Sequence, residues 1–379
     1  MVQKTYSGTM TFLVISHAPH FQKDEKLFSY GPLVKEMVLW EKYTDQMWVF
    51  APEVLPHEDS INLPYQSGNT RLISTPLLDF TSGPNRLKSL LWLPWIIFSL
   101  YYYMWKADHI HLRCPGNLAL IGCFLQIVFP WKKKTVKYAG NWDPASPQPL
   151  TYKIQRWVIN NTWLSRNMTV MVYGNWPHSS KNIKPFFTAS YLEKEFVPFQ
   201  KPESGQGINL VFVGSLVPAK NPLTAIQVLE QLVQNDQVAN LVYCGEGSER
   251  PKIESFAINR GLHEMVYLAG NVNSEKVKQI LIQSHFLIFL SESEGWPKVV
   301  AEAMTWGCIP LTSSVSCVPE MVGYGARGIL IDNDPVRIAQ EILKLVQDPG
   351  RLANMQFQAQ QWAKQFTLEK FGESLCELV

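Results

Sequence analysis

The segment 285–314, HFLIFLSESEGWPKVVAEAMTWGCIPLTSS, constrains this chain more than any other. It opens on an apolar run, His285 to Leu290, with the length and composition of a buried parallel strand. A loop with Gly295 and Pro297 follows, then a helix from about Lys298. Such a helix starts with backbone N–H groups that have no intrahelical partner, which makes its tip a natural place for an anion. Glu294 and Glu302 stand on either side of the turn, eight positions apart. Carboxylates repel an anion, so their presence needs a second reason. A carboxylate accepts two hydrogen bonds and can clamp a vicinal diol, and phosphate with diol describes a sugar nucleotide. On a helix, a glutamate is more often a surface charge. Glu302, however, sits among Val299, Val300, Ala303 and Met304, where an unpaired carboxylate is costly.

The rest of the chain repeats strand, helix, strand. In the first half, strands are expected at Met10–Ser16, Gln46–Phe50, His109–Leu112 and Thr135–Tyr138, with a helix near Pro32–Tyr43. The second half is more regular. Strands are expected at Asn209–Val213, Ala239–Cys244, Met265–Leu268, His285–Leu290 and Ile309–Thr312. Helices are expected at Pro222–Gln234, Glu249–Arg260 and Ser274–Ser284. This alternation predicts doubly wound parallel sheets with ligands at the carboxyl ends of the strands. A length of 379 residues exceeds what one core organises. We therefore expect one domain over 1–185, a second over 186–355, and helices over 356–379 that cross back to brace the first domain through Trp362, Phe366 and Phe371. The polar segment Ser180–Gly207 is the expected connection.

A net charge of +2 argues against nucleic acid as a partner. Six scattered cysteines without a CxxC pair fit reduced, buried thiols and the cytosol. No Asp-x-Asp cluster or His and carboxylate set has metal-ligand spacing. The apolar stretch Leu87–Trp105 admits three readings: a buried or domain-covering helix, a helix lying in one membrane leaflet, or a spanning helix. Pro94 and the abundance of Trp and Tyr weigh against spanning. Lys132, Lys133 and Lys134 just downstream would suit anionic headgroups.

Two further loops fall at carboxyl ends of strands. In VFVGSLVPAKNP, Gly214 ends a strand and Lys220 stands just before a helix opened by Pro222. An ammonium there adds a full charge to the positive end of the helix. In YCGEGSER, Gly245 and Gly247 flank Glu246 in a tight turn. Each loop alone is weak evidence; the set is specific.

With VFVGSLVPAKNP, LVYCGEGSER, VYLAGNV, HFLIFLSESEGWPKVVAEAMTWGCIPLTSS, VPEMV and GILID in order over residues 209–333, the chain resembles retaining glycosyltransferases of family 4. The resemblance implies the GT-B fold: α/β, with two Rossmann-like domains facing a central cleft. It implies a nucleotide-diphosphate sugar as donor, no metal cofactor, and a glycan or lipid-linked acceptor. It assigns Glu294 to the donor sugar and Glu302 to the ribose. Gly214, Lys220, Gly245, Glu246, Gly295, Trp296, Pro297, Lys298 and Val299 line the donor, with the Lys298 and Val299 amides on sugar and phosphate. Ser215 departs from the family pattern, which has an arginine there to grip phosphate. The first half is less similar. It lacks the glycine-rich first loop, with Gly31 as the best remnant. His111 and Arg113, ending ADHIHLR, are the expected catalytic-side residues beside Glu294. Asn141 and Asp143, in VKYAGNWD, are expected on the acceptor side, where relatives carry a histidine. The rival readings are a sugar-nucleotide epimerase using His17 and His20, and a non-catalytic sugar-nucleotide-binding subunit.

Overall fold

The computed structural model describes residues 10–56, 62–80, 82–177, 179–202 and 207–378. Residues 203–206 of the expected connecting segment lie outside the described residues. The chain divides into two compact units, Met1–Phe186 with Gly372–Val379, and Phe187–Phe371.

The first unit runs β1 (Thr11–Ile15), β2 (His20–Lys23), β3 (Lys26–Tyr30), α1 (Gly31–Glu41), β4 (Gln46–Pro52), β5 (Asn62–Pro64) and β6 (Thr70–Thr75). It continues with α2 (Gly83–Lys106), β7 (His109–Cys114), α3 (Asn117–Leu125), β8 (Lys133–Tyr138), α4 (Leu150–Asn160), β9 (Met168–Tyr173) and β10 (Ile183–Phe186). Seven strands form a parallel sheet in the order β10-β9-β8-β7-β1-β4-β6. β1 is a continuous apolar run, as a strand buried on both faces should be, whereas β7 and β8 carry the buried polar residues His109, His111, Lys134 and Lys137. Leu13, Ile15, Ile110, Leu112 and Val136 form its core with Ile96, Leu100 and Met104 of α2. β2, β3 and β5 form a small antiparallel sheet. The β2–β3 turn places Asp24 and Glu25 at φ of 49° and 59°, the left-handed pair that two-residue hairpins require.

α2 bears on the competing readings of Leu87–Trp105. Among the described residues, no helix is long and apolar enough to cross a membrane. A wholly buried helix is also ruled out, since only Ser89, Ile96, Leu100 and Met104 are buried. The lysine run differs from expectation as well. Lys132 donates to the carbonyls of Trp105, at 2.7 Å, and Ala107, closing the end of α2. Lys134 is buried and donates to the carbonyls of Phe129, at 3.0 Å, and Gln126; burial pulls its ammonium down to about 8. Backbone oxygens therefore hold two of the three lysines.

The second unit runs β11 (Ile208–Val213), α5 (Pro222–Gln234), β12 (Ala239–Cys244), α6 (Arg250–Asn259), β13 (Val266–Leu268), α7 (Ser274–Gln283), β14 (Phe286–Phe289) and α8 (Lys298–Thr305). It continues with β15 (Ile309–Thr312), α9 (Val318–Met321), β16 (Ile329–Leu330), α10 (Pro335–Val346), α11 (Pro349–Ala363) and the start of α12 (Leu368–Cys376). Each element expected between Asn209 and Thr312 is present with its ends within one residue. The sheet is parallel, in the order β13-β12-β11-β14-β15-β16. The order reverses at β11: β12 and β13 build outward on one side, β14 to β16 on the other. The C-terminal aromatics form a cluster of their own. Trp362 and Phe366, with ring centroids 4.5 Å apart, both pack on Trp296, and Phe187 meets Phe366 and Phe371. All five belong to the second unit. The tail residues of the first unit are fixed separately; the Tyr43 hydroxyl donates to the Gly372 carbonyl at 3.0 Å.

Candidate active site

In a doubly wound sheet, the two loops that leave the reversal point in opposite directions open a crevice at its carboxyl edge. In the second unit those loops follow β11 and β14. The floor is built from backbone packed on backbone. Gly214 N–H donates to the Cys244 carbonyl and Gly245 N–H to the Gly270 carbonyl. Gly245 has φ of 146°, and a Cβ there would lie 2.0 Å from the Gly214 oxygen; one on Gly247 would lie 2.3 Å from the Leu216 oxygen. Only glycine allows the loops after β11 and β12 to close this tightly.

On this floor stand a cation and a carboxylate. A 3-10 turn, Pro218–Lys220, and Asn221 in the left-handed region bring the chain into α5 and aim Lys220 toward the β14 loop. The Lys220 ammonium donates to Glu294 Oε1. Both side chains are mostly buried, Glu294 at 14% exposure. The pairing is held by backbone ties between the two loops. Glu292 N–H donates to the Ala219 carbonyl, and the Asn221 amide donates to the Leu290 carbonyl at 2.8 Å. The loop after β15 braces the far side, with Ser316 and Cys317 donating to the Gly295 carbonyl and Ser313 to that of Ser291. Pro297 then caps α8 in an extended conformation without a side-chain acceptor for the first amides. The tip that carries Lys298 and Val299 thus begins four positions beyond Glu294.

The other expected donor residues divide into two groups. Glu302, half-buried on α8, accepts from the Ser190 hydroxyl; neighbouring Tyr191 has its phenol pushed up by burial and by this carboxylate. Ser190 was not legible as a site residue, because only the tertiary fold brings it to a carboxylate 112 positions away. The Trp296 indole stacks on Trp362, 6.0 Å away. Glu246 is exposed and paired with Arg250. Ser215, next to Gly214, is exposed. Among the described residues, no group of three His, Cys, Asp or Glu side chains could hold a metal ion.

In the first unit the sheet reverses at β1, and the carboxyl ends of β1 and β7 carry His17 and Arg113. His17 faces Gly116, where a Cβ would lie 2.6 Å from its Nδ1. Arg113 and Lys137 both bind the buried Glu36 of α1, at 2.8 and 3.0 Å. Burial alone would raise the Glu36 carboxyl, but the two cations hold it down at about 2. His111, expected at a site, lies in the core instead. Its ring is fully buried beside Phe12 and Trp40, and its Nδ1 meets the Thr135 hydroxyl at 2.9 Å. Desolvation, aided by Arg113, keeps it neutral by pulling its pKa well down. His109 shares the same Thr135 hydroxyl, and burial pulls it down to about 3. His20 is likewise buried, bound to Ala18 and Tyr65. Asn141 and Asp143 shape their own loop: Asn141 accepts from the Asp143 N–H at 2.9 Å, and Asp143 from the Ala145 N–H at 2.8 Å.

Chemically, the second unit offers one ammonium, one uncapped helix tip and two carboxylates along a single strand–loop–helix segment and its neighbour. Cation and amides suit a diphosphate, and carboxylates suit hydroxyls. Residues 193–362 match the family model "Glycosyl transferases group 1". A glycosyltransferase of Methanocaldococcus jannaschii is 26% identical over 161 residues, 42% of this chain and 44% of the relative. The GDP-mannose:cellobiosyl-diphosphopolyprenol alpha-mannosyltransferase of Xanthomonas oryzae pv. oryzae is 21% identical over 137 residues, 36% of each. The chain therefore spans less than half the length of these curated relatives. Over nearly its whole length it is similar in fold to Anabaena HepE, solved in complex with UDP and glucose. The TM-score is 0.69 at 15% identity, covering 97% of this chain and 98% of the other. The fold is GT-B, and these matches support a glycosyltransferase.

Proposed function

We propose that the chain is a retaining glycosyltransferase of family 4. It moves a sugar from a nucleoside diphosphate to a lipid-linked glycan acceptor, in surface polysaccharide assembly at the cytoplasmic face of the cell membrane. The observation that carries this reading is the Lys220–Glu294 pair at the reversal point of the second sheet, next to the uncapped tip of α8. The acceptor class is supported by the diphosphopolyprenol substrate named for the Xanthomonas relative.

The barrier to transfer is departure of the diphosphate while positive charge grows on the sugar ring. Donors fixed in place before the reaction lower it. A bound diphosphate draws Lys220 from Glu294 and receives the Lys298 and Val299 amides. Glu294, released, accepts from the sugar hydroxyls, and Glu302 takes the ribose diol in place of Ser190. The bond from the anomeric carbon to the phosphate oxygen breaks, and the bond to the acceptor oxygen forms on the same face. The acceptor proton leaves with the phosphate. Retention of configuration follows from that geometry, and no metal ion is needed.

A panel of nucleotide sugars in thermal unfolding identifies the donor, since a ligand of the native state raises the melting temperature by mass action. Glu294→Gln should then keep the fold and lose transfer. An epimerase would change the donor without an acceptor, and a binding subunit would shift melting without consuming donor. Exposed Ser215, where family 4 carries arginine, is the one feature that favours the binding subunit.

A further inference from the structure

α2 is apolar on two opposite faces, and only one of them is used. Ser89, Ile96, Leu100 and Met104 point into the core. On the other side Leu87, Leu91, Phe98 and Trp105 recur at helical spacing, with Leu91 73% and Phe98 75% exposed. Trp92, Trp95, Tyr101 and Tyr102 widen this stripe. A helix apolar all round is normally covered all round, and a contiguous apolar patch of this size marks a docking surface.

Its charge pattern selects the occupant. α2 has no acidic residue, and exposed cations sit at both ends: Arg86 and Lys88 near the start, Lys106 and neighbouring Lys133 at the finish. Lys106 rests over the rings of Trp105 and Tyr102, 4.9 and 5.9 Å from their centroids. Basic residues at both ends of a helix about 36 Å long, at 1.5 Å per residue, cannot both reach headgroups of one leaflet unless the helix lies flat. Trp and Tyr spread along the stripe belong at that depth. Lys132 ties the helix end to the strand that follows, so the face is presented rigidly. A protein partner would give no reason for cations at both ends with aromatics between.

We infer that the outer face of α2 docks the protein, parallel to the surface, on an anionic lipid bilayer. This does not rest on the donor-site reading, and either can fail alone.

The test is flotation of the full chain with vesicles of phosphatidylcholine alone or with about one-third phosphatidylglycerol. The chain should float with the anionic vesicles and far less with the neutral ones. Replacing Leu91, Phe98 and Trp105 together by Ser should weaken partitioning about tenfold or more. Melting temperature should hold, because these side chains are solvent-facing. Lys88→Glu with Lys106→Glu should lower binding about tenfold on anionic vesicles only. Three results would overturn the inference: no flotation of the native chain on either vesicle; equal flotation of the triple variant; or a lipid-free dimer that the triple variant dissolves, which would mean a second copy covers this face.

Discussion

The Lys220 ammonium, carried by the loop after β11, closes on the Glu294 carboxylate in the loop after β14, 74 positions later in the chain. The cation and the anion are thereby neutralised against each other at the point where a charged ligand would enter. Removing either one should act on ligand binding more than on folding. We expect Lys220→Ala to weaken nucleotide-sugar binding by about ten- to a hundredfold, the range for losing one charge-assisted phosphate contact. Its melting temperature should stay within a few degrees of the native value. Titration calorimetry against the donor identified by thermal shift measures this, and unchanged affinity would remove Lys220 from the site.

Ser215 gives the converse experiment. Because it is exposed beside Gly214, an arginine can be accommodated there. Ser215→Arg should tighten donor binding severalfold, up to about tenfold or 1.4 kcal/mol. A lack of effect would mean that the diphosphate lies away from the end of β11.

The two glycine loops predict a sharp difference between substitutions of the same type. Gly245→Ala puts a methyl 2.0 Å from a backbone oxygen at φ of 146°, so the β11 and β12 loops must separate. We expect a loss of about 2 kcal/mol or more. Gly261→Ala, at φ of 66° with no atom within 4 Å, should cost only about 1 kcal/mol. Denaturant unfolding of the two variants distinguishes strain with collision from strain alone.

Acid stability should report the buried charges of the first unit. For Glu36, burial raises the carboxyl and Arg113 with Lys137 more than offsets it, leaving about 2 against the ordinary 4.5. A depressed carboxylate contributes stability above its unfolded pKa and loses it as pH falls through the folded value. The window is therefore pH 4.5 down to 2, and the contribution is on the order of 3 kcal/mol. His109 and His20, held neutral by burial at about 3 and 4, weaken the fold as pH drops below 6.5, because only the unfolded chain takes up their protons. Glu36→Gln should flatten the lower window. At neutral pH it should also destabilise by about 3 kcal/mol or more, as two buried cations lose their anion. Unfolding followed from pH 7 to 2 shows both.

What the sequence revealed follows the range of the forces involved. β14, its loop and α8 were legible because apolar runs, Gly295 and Pro297 act locally. The β2–β3 hairpin was not, because its turn is Asp24–Glu25 rather than a glycine-bearing pair, and the left-handed angles are imposed by the strands it joins. His111 reads as a site residue from its neighbours in sequence, but strand pairing turns its ring toward Thr135 and into the core. Ser190 beside Glu302, and Trp296 packed on Trp362, depend on contacts that no local pattern encodes. The two faces of α2 look alike as sequence, and only its packing shows which one stays open.

The main-chain contact of Gly214 with Gly245 leaves one seam of the crevice without an adjustable part, because a Cβ on Gly245 would force the exits of β11 and β12 apart. Variation in which ligand such a protein accepts then falls to side chains that stand clear of that seam, exposed Ser215 among them, over an unmoving base.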